Sequence, residues 1–116
     1  MNPIFDSQGL TVSWLRGEYV HDLSGNAVAF IKGGAVYLYS GQQIGWLMNG
    51  FFRDGYGNAV AFMRGCTGGP LPPLAELPPL APLAALAPLR PLTSLPSLPP
   101  TPSLSWSNLS WEQFLG

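Results

Sequence analysis

Through the first sixty or so residues, short apolar runs alternate with turn-forming residues, and within each run side chains suited to opposite faces of a strand follow one another. Leu10-Thr-Val-Ser-Trp-Leu-Arg16 and Ala27-Val-Ala-Phe-Ile-Lys32 are two such runs. Successive side chains of a strand point to opposite faces, so the alternation places Val12 with Trp14 on one face and Ser13 with Leu15 on the other. Each run meets a shorter return strand, such as Tyr19-Val-His21, across a two-residue loop. These loops read Gly17-Glu18, Gly33-Gly34, Asn49-Gly50 and Gly65-Cys66. Glycine at the first central position suits a type II′ turn and Asn-Gly suits type I′, both of which match strand twist.

The pattern repeats every 16 residues without insertion, over residues 6–21, 22–37, 38–53 and 54–69. One column reads Gly9, Gly25, Gly41, Gly57, and another Val12, Val28, Ile44, Val60. An aromatic column reads Trp14, Phe30, Trp46, Phe62, beside a small column of Ser13, Ala29, Gly45, Ala61. Three copies begin with Asp and carry Gly three residues on, the mark of a type I turn whose Asp accepts from backbone N–H groups. Isolated hairpins are marginal in water. Four equal hairpins with two apolar faces are therefore expected to pack together as a closed ring with pseudo-fourfold symmetry. A unit of 16 residues supplies two strands, too few for a propeller blade of about 40 residues. The fourth copy lacks a return strand, and Ile4-Phe5 precedes Asp6 as Val20-His21 precedes Asp22. Ile4 and Phe5 are expected to pair into the fourth hairpin and close the ring.

Four tandem units of the form Asp-x-x-Gly-Asn-x-Val-Ala-Phe, then a Gly-Gly-Pro exit and a proline-rich tail, resemble the fourfold β-flower family of small bacterial proteins. The second and fourth copies carry the motif in full, whereas the first (Gly-Leu-Thr-Val-Ser-Trp) and third (Gly-Gln-Gln-Ile-Gly-Trp) depart at the Asn and Ala positions. The resemblance implies a four-petalled β fold and no activity or catalytic residues. A shorter likeness, to the Tyr-Asp repeats of bacterial toxin shells, covers only Asp-x-x-Gly-Asn.

The chain divides into a β-repeat domain (residues 1–69), a Leu/Pro-rich segment (70–104) and an aromatic anchor (105–116). In the middle segment leucine stands at every third position from Leu71 to Leu98 and nowhere between: Leu74, Leu77, Leu80, Leu83, Leu86, Leu89, Leu92 and Leu95 lie inside the series. Three residues per turn is the period of polyproline II, and the prolines exclude an α-helix. A flexible linker has no use for ten leucines in register. Each leucine would contribute roughly 1.5–3 kcal/mol if buried, so the stripe is expected to cover the ring's second apolar face. Straight, it would run roughly 85 Å at about 3.1 Å per residue, against a diameter near 28 Å for a 70-residue domain. It must fold back, wrap the ring, or cross to another subunit. In the anchor, Ser110 with Gln113 forms a capping-box pattern. Trp106, Trp111 and Phe114 are expected to plug a groove in this fold or a sister subunit.

Composition narrows the function. Only 9% of the 116 residues are charged and the net charge is -1, which argues against nucleic acid or an anionic membrane as partner. No proline-free run is long enough to span a bilayer, and no basic and apolar leader opens the chain. A reducing cytoplasm is the default location. Cys66 and His21 are the only thiol and the only imidazole. A catalytic pair would need them within about 3 Å with a third orienting group, and the expectation is that they form none. Asp6, Asp22 and Asp54 are explained as turn residues, so neither a metal nor a cofactor is expected. The favoured reading is a structural or protein-interaction module that self-associates through the leucine-proline tail. The alternative is a small-molecule or glycan-binding ring that uses exposed aromatics or an axial pocket.

Overall fold

A computed structural model describes residues 1–116. Eight antiparallel strands form a closed barrel in simple sequence order: β1 (Asn2–Asp6), β2 (Thr11–Arg16), β3 (Tyr19–His21), β4 (Ala27–Lys32), β5 (Ala35–Leu38), β6 (Gln43–Met48), β7 (Phe51–Arg53) and β8 (Ala59–Phe62). One short helix, α1 (Trp111–Leu115), follows near the C-terminus. The barrel closes as the repeat requires. Phe5 pairs with Phe62 and Asp6 with Ala61, so β1 serves as the return strand of the fourth hairpin while also pairing with β2. Deleting residues 1–5 is expected to open the barrel and abolish cooperative thermal unfolding. An unchanged melting temperature would refute that.

The longer turns behave as their sequences demand. Asp6 Oδ1 accepts from the N–H groups of Gln8 and Leu10 at 2.9 and 3.0 Å, and Asp22 and Asp54 repeat the arrangement. Where the third copy has Leu38, the Ser40 hydroxyl stands in, at 3.4 Å from the Gln42 N–H. The hairpin tips are less uniform. Asn49 and Gly50 both have positive φ, as type I′ requires. Gly33-Gly34 does too, although a leading glycine suggests type II′. The fourth tip forms at Arg64-Gly65, one residue before the position read from the repeat, because Cys66 N–H bonds back to the Met63 carbonyl at 3.2 Å.

The assignment of faces needs one correction. In every copy the register slips by one residue, so that Ile4 faces Ser13 while Phe5 faces Thr11, leaving Val12 unpaired. Val28, Ile44 and Val60 are skipped in the same way. Such a β-bulge breaks strict alternation. The valine column therefore packs in the barrel interior with Ile4, Val20, Val36 and Phe52 rather than beside the aromatic column. Phe30 and Trp46, with Tyr37, form one cluster on the outer face, and Phe62, with Phe5 and Phe51, forms another.

From Pro70 the chain leaves the barrel and runs once round its outside without regular secondary structure. The carbonyls of Leu74, Leu83, Leu92 and Thr101 come to rest against Gly9, Gly25, Gly41 and Gly57, one per copy. The strap thus has its own period of nine residues, marked by Pro73-Leu74, Pro82-Leu83, Pro91-Leu92 and Pro100-Thr101. Its N–H groups follow suit: Glu76 donates to the Gly9 carbonyl, Ala85 to Gly25 and Ser103 to Gly57, at 2.9, 2.9 and 3.1 Å. A Cβ on Gly25 would collide with the Leu83 carbonyl, and its φ of +93° is already unfavourable for any other residue. Gly25→Ala is expected to cost about 1–3 kcal/mol and to make the strap sensitive to proteolysis. Gly33→Ala, with open space around it, should leave the strap protected.

Candidate interaction surface

The outer face of the barrel is already filled by large side chains, and this decides which edge of the strap can meet it. Phe30 stacks on Tyr37 with ring centroids 5.5 Å apart, and Phe5 lies 5.4 Å from Phe62. The strap backbone must also approach the glycine column closely. Small residues fit between the two layers, as does the flat Arg90 guanidinium, which lies 4.8 Å from the Tyr19 ring and 5.1 Å from the Phe30 ring. Ala75, Pro78, Ala84, Ala87, Arg90 and Thr93 occupy that edge and are partly covered.

The leucines consequently face away from the barrel. All ten from Leu71 to Leu98 are 91–101% exposed. This overturns the expectation that the stripe covers the ring: the strap does the covering, but with its alanines and prolines. A leucine on the inner edge would lift the backbone off Gly9, Gly25 and Gly57 and break the bonds made there. Leu74, Leu77, Leu80, Leu83, Leu86, Leu89, Leu92 and Leu95 thus belong to a continuous outward apolar belt on a body measuring 35 × 35 × 22 Å. Monomeric proteins rarely expose a patch of that extent.

The aromatic anchor is spent inside the fold. Trp106 bridges to Ala59 and packs on Phe51 and Phe62 at 6.2 and 6.1 Å. The capping box of Ser110 and Gln113 starts α1, which sets Trp111 and Phe114 into the barrel interior, both buried. Trp111 meets Phe52 edge-on at 5.2 Å and donates its indole N–H to Ser13 Oγ at 2.8 Å. Phe114 lies where a Cβ on Gly45 would stand. The small column therefore makes room for the plug, and the axial space holds side chains.

Three of the four members of the column Phe5, His21, Tyr37, Arg53 tie strap to barrel, and the column escapes notice in the sequence because its members share no chemistry. Arg53 is 1% exposed and donates to the carbonyls of Gly57, Ser103 and Gly68 at 2.6, 2.9 and 3.1 Å. Burial pushes its guanidinium below the ordinary arginine range, and Asp54 beside it acts the other way. The Tyr37 hydroxyl donates to the Ser94 carbonyl at 3.4 Å. The Pro-Leu recurrence at nine residues was the available signal for this docking.

This chain belongs to the 4-fold beta flower protein family. The family's model matches residues 2–115, strap and anchor included. No curated protein and no solved structure matches the chain. In this beta flower protein Cys66 packs against the cluster of Phe5, Phe51 and Phe62, where burial pushes its thiol up. His21 turns its Nδ1 to the Gly25 carbonyl at 2.9 Å, and no hydrogen bond joins it to Cys66. Each Asp of the turn column is engaged with its own turn, and no cluster of three metal-ligating side chains forms. No helix is long and apolar enough to cross a membrane.

Proposed function

We propose that this beta flower protein is an assembly module: a rigid disc that self-associates through the leucine belt of its strap, with residues 70–104 as a polyproline II strand. The observation that supports this reading is the full outward exposure of ten in-register leucines on a strap anchored to its own barrel by backbone hydrogen bonds. The belt has no acidic residue but Glu76 and no basic residue but Arg90. Arg90 is occupied with Glu18 at 3.2 Å, so two belts meet with little charge repulsion and with identical apolar ridges. A contact that buries about three leucines from each partner contributes roughly 9–18 kcal/mol. Association costs about 4–15 kcal/mol, so the middle of these ranges leaves about 4 kcal/mol, a contact of millimolar strength that a longer shared stretch of belt tightens. The cytoplasm, where a single cysteine stays reduced, is the compartment that fits. Sedimentation velocity of the full chain tests the reading. Species heavier than the 12.4 kDa monomer, growing with concentration, are expected, and a strict monomer at every concentration would refute it.

A further inference from the structure

Three members of the column Phe5, His21, Tyr37, Arg53 engage the strap and one does not. The cluster that holds Phe5 takes in Ala75 of the strap, Tyr37 reaches the Ser94 carbonyl, and Arg53 reaches the Ser103 carbonyl. At the equivalent place His21 bonds only within its own turn. The strap opposite is Ala84-Ala85-Leu86-Ala87, within the longest proline-free run between Pro70 and Pro102. A shorter ring below and alanines above leave a cavity of about 780 Å³ between the first hairpin and the strap. That lies within the range of ligand pockets, roughly 300–1,000 Å³.

The lining has a definite chemistry. A carbonyl can only accept, so Nδ1 of neutral His21 carries the proton and Nε2 offers a lone pair. His21 is 2% exposed, and Nε2 has no protein partner. Tyr19 and Arg16 are paired across the hairpin, and His21 follows two residues on from Tyr19 along the same strand face. The diagonal from Arg16 to His21 therefore spans about 7–8 Å between backbones, the scale of a para-substituted ring. Arg16 makes no ion pair, whereas Glu18 is held by Arg90. The alanine methyls and the Tyr19 ring supply apolar walls.

We propose that this cavity binds a small aromatic hydroxy acid, with its hydroxyl donating to His21 Nε2, its ring between Tyr19 and the alanines, and its anionic group at Arg16. Leu86 borders the cavity and also belongs to the belt, but occupancy of the site does not require assembly. The probe is 4-hydroxybenzoate, titrated into the full chain by calorimetry and by NMR of the His21 and Tyr19 rings. Benzoate lacks the donor and phenol lacks the anion. The expected result is saturable binding of 4-hydroxybenzoate, weakened about tenfold for each of the other two. Arg16, an exposed residue, contributes an exposed ion pair, so Arg16→Ala should lower affinity about two- to fivefold. His21→Phe, which copies the Phe5 petal, should abolish binding while the melting temperature holds or rises, because the Gly25 carbonyl keeps the Ala85 N–H. Absence of saturable binding, equal binding of all three probes, or binding that survives His21→Phe would overturn the proposal.

Discussion

Replacing Leu74, Leu77, Leu80, Leu83, Leu86, Leu89, Leu92 and Leu95 together by serine is expected to convert the protein from a concentration-dependent assembly to a monomer with an unchanged fold. Surface substitutions of this kind usually alter stability by about 0.5 kcal/mol or less each, and these side chains are almost fully exposed. The bonds that hold the strap come from backbone N–H groups and from Arg53, Tyr37 and Gln43, all of which the variant keeps. The two readouts are therefore separable. Sedimentation should collapse to a single 12.4 kDa species, while the far-ultraviolet spectrum and melting temperature stay within a few degrees. If the octuple variant unfolded, the leucines would be part of the fold and their exposure misread. If it folded and still assembled with undiminished affinity, the belt would not be the interface.

The second large effect concerns the plug. Trp111→Ala should destabilise the protein by about 3–5 kcal/mol, the range for truncating a buried aromatic. The site cannot collapse easily, because the barrel walls around it are hydrogen-bonded strands. The loss also strands the Ser13 hydroxyl, whose partner is the Trp111 indole. For a chain of this size a drop of roughly 10–20 °C in melting temperature follows. Trp111→Phe keeps the ring but not the N–H and should lose about 1–2 kcal/mol. If Trp111→Ala melted like the unaltered protein, α1 would be resting on the barrel rather than filling it.

Much of the architecture could be read from residues alone, for identifiable reasons. The 16-residue period is uninterrupted and each copy carries its own turn chemistry, so strand order, Asp turns and closure by Ile4-Phe5 all followed. The faces were less legible. Alternation assumes one residue opposite one residue, and the bulges at Val12, Val28, Ile44 and Val60 break that count once per copy. Nothing in a valine announces a bulge. The leucine stripe was found but turned the wrong way, because burial was assigned by hydrophobicity alone. What overrides it is the glycine column: a backbone that must seat against Gly9, Gly25 and Gly57 admits alanine and proline, not leucine. The places of Arg53 and His21 opposite the strap stayed hidden because a repeat is recognised by what its copies share, and these two hold the position at which the copies differ.

The nine-residue step of the strap has a metrical consequence. On the polyproline II reading proposed for residues 70–104, nine is three full turns of a three-residue screw, so the strand arrives at each petal in the same rotational phase, and the residue facing outward at one glycine faces outward at the next. At about 3.1 Å per residue, four such steps measure roughly 110 Å, the perimeter of a circle about 35 Å across, which is the breadth of the molecule. Perimeter and pitch are commensurate. The strap acts as a gauge of the ring: it can gain or lose material only in whole nines, in step with whole petals of sixteen, without falling out of phase with the glycines that seat it.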